Sequence, residues 1–145
     1  MNKQCEQRFC HAGVEYTIPD EWWSEAGMKT FSRRRRSFVG GKSPWPDLRV
    51  FEIAVGEVRP LVRNGTHGVF NDSIESGSAH DRVVRILRGF CEEAAIPPVE
   101  VAPLATDPKF RFKLIHGAHR FYCAVAAGFS HVPAVQVVDV WGDQT

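Results

Sequence analysis

Long apolar runs are missing from this sequence. Its 145 residues contain no stretch of membrane-spanning length, and the polar start MNKQCEQRFC lacks the apolar centre of a signal peptide. A cytoplasmic protein without membrane insertion is therefore expected. Paired cysteines are missing too. Cys5, Cys10, Cys91 and Cys123 stand at unrelated spacings, which argues for reduced thiols rather than a disulfide framework, with Cys91 and Cys123 read as core packing. Cys10-His11 with Cys5 would begin a zinc site, but no second ligand pair follows at finger spacing. No internal repeat or low-complexity tract occurs. The length allows one domain with a single core, and 43% hydrophobic and 24% charged residues are ordinary for a globular chain.

What the chain does have is an uneven charge. Overall it carries +1, yet between Met28 and Arg63 nine bases face three acids, a local +6, while residues 1–27 carry −3. A basic block in a near-neutral protein points to a polyanion-binding patch. Its centre is Arg33, Arg34, Arg35 and Arg36, which read as a DNA-backbone contact, with a solvated tether as the plain alternative.

Residues 1–20 read as an irregular or partly extended arm ending at Pro19. A short helix is expected from Asp20, with acids in its first turn, Gly27 as its stop, and Trp22 and Trp23 docking it on the core. A stacking platform for a base is the alternative role for those two rings. Phe31 to Pro46 reads as a loop. Its GGKS (40–43) imitates a P-loop, but that motif needs glycine where Arg36 stands and a strand leading in. Leu48 to Val55 alternates like a strand, and the glycine-rich GEVRPLVRNGTHG after it reads as a loop able to close over a ligand. A helix is expected over 78–95, with Val83, Val84, Ile86, Leu87 and Phe90 on its apolar face and Arg82, Arg85 and Arg88 along the other side. Strands are expected at VEVAPL, at FRFKLI and from Ala134 to Val140. The order defines an α/β (α+β) domain, a small mixed β-sheet with helices packed against it. It divides the chain into an N-terminal arm with a short helix and basic loop (1–47) and the α/β domain itself (48–145), whose ligand class is implied only by the resemblance described next.

The most informative stretch is residues 114–140. A strand ending near Ile115 meets Gly117, where a sharp turn fits, and Ala118 to Ala127 reads as a helix stopped by Gly128. His119 and Arg120 fall in its first turn, beside unpaired amides and the positive end of the helix dipole, a setting that favours phosphate. Gly117, Ala118, His119 and Arg120, followed by Ala124, Gly128 and Val132-Pro133, resemble the signature of the ParB/sulfiredoxin superfamily, in which this turn cradles nucleotide phosphates. The resemblance covers roughly residues 48–140.

In sulfiredoxin the variable residue of the signature is the catalytic cysteine. Here it is Ala118, so no thiolate stands at the turn and sulfinic acid repair is not expected. Partition ParB proteins carry helix-turn-helix and dimerisation domains after this fold, and this sequence stops five residues past the last expected strand, so that role is not expected either. Two branches of the superfamily remain. One phosphorylates small molecules such as free serine. The other comprises plasmid fertility-inhibition effectors of the oncogenic-suppression type, associated with ATP hydrolysis and DNA cleavage. The basic block favours the second, because a small-molecule kinase does not need four consecutive arginines. The resemblance thus implies an ATP hydrolase with metal-dependent nuclease activity, acting at DNA during conjugative or T-DNA transfer and meeting a component of a DNA transfer or secretion machinery. Its cofactors would be ATP, or another nucleoside triphosphate, with Mg²⁺ or Mn²⁺. Alternatives are the kinase and a non-catalytic binding protein with a vestigial nucleotide site.

Within this scheme Glu57 is the candidate base and metal ligand, with a surface ion pair to Arg59 as its plain alternative. Arg63 is a candidate phosphate ligand in the loop. His116 and His119 flank the glycine turn as donors or general acids, one of them alternatively capping it. Arg120 is assigned bidentate phosphate binding, and with His119 belongs to the catalytic set.

Overall fold

A β-hairpin opens the computed structural model, which describes residues 6–43, 45, 47–60 and 79–138. Strands β1 (Glu6–His11) and β2 (Val14–Pro19) pair antiparallel, His11 opposite Val14, around Ala12 and Gly13. Both turn residues have positive φ, 52° and 86°, the geometry of a two-residue hairpin turn whose twist matches its strands. The sequence suggested an irregular or partly extended arm here, and the extended alternative is the one found, as a paired hairpin. The alternation of Phe9 and His11 with Val14, Tyr16 and Ile18 places one face of the hairpin inward, and Tyr16, Ile18 and His11 are buried.

Helix α1 (Asp20–Glu25) follows, ending at Gly27 with φ 89°. Trp22 and Trp23 pack against the core, as expected of docking residues. After a 3₁₀ turn at Met28–Thr30, the described residues before β3 (Phe51–Ala54) form no helix or strand, only a parallel bridge of Gly40 to Ile96. A second 3₁₀ turn covers Val55–Glu57. Residues 61–78, and Arg63 with them, lie outside the described residues.

Helix α2 (Ala79–Glu92) buries Val83, Val84, Leu87 and Phe90 of the apolar face read from the sequence, with Ile86 of that face only partly buried. Strands β4 (Val99–Pro103) and β5 (Phe112–His116), helix α3 (Ala118–Ala127) and strand β6 (His131–Gln136) complete the order. The sheet runs β3-β6-β4-β5, with β6 parallel to β4 and the other two pairs antiparallel. The architecture is therefore mixed α+β, as the sequence indicated. β6 begins three residues earlier than expected. Pro133 lies opposite Glu52 of β3 but outside the β4 ladder, which starts at Ala134, so its missing N–H costs no bond to β4. The expected end of this strand at Val140 lies outside the described residues.

One apolar core joins all these elements, with Tyr16, Ile18, Met28 and Phe38 from the N-terminal part beside Leu87, Val99, Val101, Phe121 and Val132. Helices α2 and α3 run in the same direction. Arg82 meets His119 near their starts, and the rings of Phe90 and Phe129 stand 5.1 Å apart near their ends. Among the described residues no helix is long and apolar enough to cross a membrane.

Candidate phosphate-binding site at the start of α3

The approach to α3 is shaped before the turn itself. Glu100 pairs with His116 and Val101 with Leu114, so Ile115 is an extra residue that bulges β5 just ahead of Gly117. Gly117 then takes φ 100°. A β-carbon there would lie 3.0 Å from Val99 Cγ1, 3.2 Å from the Val99 backbone and 3.1 Å from a guanidinium nitrogen of Arg120. Glycine is required twice over, for its dihedral angle and for the close passage of β4. The first helical bond, from the Phe121 N–H to the Gly117 carbonyl, is made at 2.8 Å. Gly117 has no side chain with which to cap the amides that precede it, so the helix start can receive an anion.

Four side chains bear on this point. His116 closes β5 and is exposed. His119 accepts a hydrogen bond at Nδ1 from Arg82 Nε, 3.2 Å away, which places the ring proton on Nε2. Arg120 is half-buried. Its guanidinium passes beside Gly117 and donates to the Pro97 carbonyl at 3.2 Å. Burial pulls its pKa below the ordinary arginine value while the charge of Glu100 opposes the shift, and the group stays cationic. Arg82 is the member that sequence reasoning missed. In sequence it is one step of a three-residue arginine stripe along α2, and only the parallel packing of α2 on α3 brings it to His119.

Glu57 does not join them. Its carboxylate accepts from Arg111 Nη1 at 2.9 Å and from the Ala54 N–H at 3.4 Å, and its carbonyl accepts from the Arg111 N–H at 3.0 Å. Arg111 immediately precedes β5 and Gly117 immediately follows it. At about 3.3 Å per residue, the two ends of that strand are roughly 13 Å apart. The expectation that Glu57 faces the phosphate of the α3 turn is therefore corrected. It is an ion-paired residue at the other end of β5, and its partner is Arg111 rather than Arg59. As an ion-paired residue at that end of the strand, Glu57 is not placed to bridge a metal to a phosphate held at the α3 turn. Among the described residues no group of three or more His, Cys, Asp and Glu side chains is disposed to hold a metal.

Arg33 to Arg36 lie at the opposite end of α3. Arg33 donates to the Gly128 carbonyl at the C-terminus of the helix, where a cation is favourable. Arg36 holds Glu52 at 2.6 Å, while its carbonyl accepts from the Ser130 and His131 amides. Arg34 and Arg35 only approach Glu93, at 3.8 and 3.9 Å. The block is thus pinned at both ends rather than loose. A cleft of about 400 Å³ opens beside it, with Arg34, Arg35, Glu92 and Glu93 on its rim and Phe31 and Phe129 within. This cleft is remote from the α3 turn, since the ten residues of α3 span about 15 Å. Cys123, the remaining thiol of the signature helix, is fully buried and burial pushes its pKa far up, so it has no nucleophilic role.

Comparison with protein-family models, with curated proteins and with solved structures finds no match in any of the three.

Proposed function

We propose that the protein binds a nucleoside triphosphate by its phosphates at the start of α3, in the manner of the ParB/sulfiredoxin signature that its sequence resembles. One observation carries this reading: Gly117 turns in the left-handed region, and Arg82, His119 and Arg120 gather from two helices at the same helix start. Dipole, amides and guanidinium charge all favour one ligand class there. ATP, accompanied as substrate by its own Mg²⁺ or Mn²⁺, is the first candidate. Hydrolysis would rest on the histidines for proton handling, because Glu57 is engaged elsewhere. DNA would be met separately, at Arg34 and Arg35. A fertility-inhibition effector of DNA transfer, working in the cytoplasm on a transfer or secretion component, is the setting this combination fits best.

The position of Glu57 favours a second reading, a protein that holds nucleotide without turning it over. Calorimetric titration with ATP, ADP, CTP and GTP, paired with phosphate-release and DNA-cleavage assays in Mg²⁺ and Mn²⁺, separates the two. Binding with release supports the hydrolase. Binding alone supports the non-catalytic reading, and product formation that depends on free serine would support a kinase. No binding of any nucleotide would remove the proposal.

A further inference from the structure

We infer that the exposed indole of Trp45 is the platform on which the base of a nucleotide held at α3 stacks, an inference that rests on the phosphate site proposed above. Trp45 is 50% exposed, whereas Trp22 and Trp23 pack against the core. Exposure alone would mean little, but a tryptophan offers a large flat face of the kind that binding surfaces use. This ring is also held. Its indole N–H donates to Glu100 Oε2 at 3.3 Å. Its own N–H donates to Ser43 Oγ at 3.0 Å, and its carbonyl accepts from Ser43 Oγ and from the Leu48 N–H. The strand-like pairing of Gly40 with Ile96 ties the preceding segment to the sheet end, through the Gly41 N–H to the Ile96 carbonyl and the Ile96 N–H to the Val39 carbonyl.

Glu100 connects the platform to the phosphate site. It pairs in register with His116, the residue before Gly117, and its charge acts on Arg120. One carboxylate therefore bonds the indole, and its strand register sets it opposite the residue that precedes the phosphate-binding turn. A ligand with an anionic end and a flat aromatic end, joined by a short polar link, matches that arrangement, and a nucleotide has this build. A ring fixed by its N–H loses little freedom when a base stacks on it, and stacking accepts any base. Broad base tolerance follows, with affinity set by ring size rather than by hydrogen-bond pattern.

The test pairs ATP with inorganic tripolyphosphate, each with Mg²⁺, in calorimetric titrations of wild type, Trp45→Ala and Trp45→Phe. Trp45→Ala should lose about tenfold or more in ATP affinity and leave tripolyphosphate within about twofold, and Trp45→Phe should retain most of the ATP affinity because a ring remains. Equal losses for both ligands would show that Trp45 only supports the fold, and no loss for ATP would exclude stacking. Either result overturns the inference while the phosphate site stands. If wild type binds neither ligand, or if Arg120→Ala leaves both affinities unchanged, the phosphate site itself fails and the platform falls with it.

Discussion

The two ends of α3 are made from similar parts and finished differently. Each is bounded by a glycine in the left-handed region, Gly117 at φ 100° and Gly128 at φ 93°, and each has arginine close by. At the C-terminal end the bonds are closed internally. The Gly128 and Phe129 amides return to the Val125 and Ala124 carbonyls, and Arg33 takes the Gly128 carbonyl. At the N-terminal end the glycine offers no cap, and His116, His119, Arg82 and Arg120 surround the opening. A helix end satisfied by its own chain is structural, and one flanked by cations whose N-cap residue is a glycine without a side chain is suited to an anion.

The largest effect should come from the glycines themselves. Gly117→Ala combines an unfavourable dihedral with contact on the Val99 backbone, whereas a β-carbon at Gly128 meets nothing within 4 Å. Gly128→Ala should cost only the left-handed penalty, about 1–2 kcal/mol. Gly117→Ala should add an overpacking cost of about 1–3 kcal/mol to that. Urea denaturation of the two variants measures the difference directly. Equal losses would mean that β4 can move aside and that the N-terminal end is not the tighter one.

Next comes the ligand. Arg120→Ala removes a charge-assisted bond to phosphate, worth about 1.5–3 kcal/mol, so nucleotide affinity should fall at least tenfold. Arg33→Ala at the other end should leave nucleotide affinity unchanged. Calorimetric titration of both variants, each checked by circular dichroism, decides whether the two ends differ in function as they do in bonding.

A smaller effect depends on pH and belongs to the hairpin that covers α3. His11 is buried against Phe121 and Tyr122, with Nε2 2.8 Å from the Val58 carbonyl. Burial lowers its pKa, with the Val58 bond opposing the shift. The unfolded chain then binds more protons than the folded one below pH about 6.5, so this contribution is complete above that value and is lost as pH falls toward the depressed folded pKa. Glu25 and Asp81 raise the pKa of His80, which acts in the opposite sense, helping below about 6.5 and fading as pH rises, but from an exposed site. His11→Gln keeps a donor for Val58 without titrating. Its stability should fall less steeply between pH 7 and 5 than that of wild type, read by denaturation at each pH. An unchanged slope would exonerate His11.

The same contrast explains what could be read from the sequence. Helix α3 was legible to the residue, Ala118 to Ala127, because glycines mark both ends and nothing distant is needed to form it. The element order from β3 onward followed from local apolar periodicity as well. The hairpin was not legible, because its turn is Ala12-Gly13 and alanine at φ 52° is no turn signal, although the alternation on either side was present. Arg82 and Glu57 were misjudged for a different reason. Whether a side chain joins the α3 turn depends on the direction of α2 and on which end of β5 receives residues 57–59, and neither is a local property. Trp45 was overlooked because an exposed, pinned ring looks in sequence like any tryptophan in a loop.

The smallest effect on stability, and a sharp test of function, lies in the arginine block. Arg34 and Arg35 reach Glu93 only at 3.8 and 3.9 Å and are 81% and 62% exposed, so their ion pairs should contribute little, whereas Arg33 and Arg36 hold a helix end and Glu52. Replacing Arg34 and Arg35 together by alanine should change unfolding free energy by less than about 0.5 kcal/mol. If these two guanidiniums contact DNA phosphates, the same double variant should bind duplex DNA several-fold more weakly, and the slope of log affinity against log salt should fall by about 1.8, two phosphate contacts at about 0.9 each. ATP affinity should not move, because the block stands at the other end of α3. DNA binding equal to wild type at every salt concentration would make the block a structural clasp and withdraw DNA from the proposed function. A loss of ATP affinity in the same variant would instead show that the two ends of α3 communicate, and the division of labour between them would have to be abandoned.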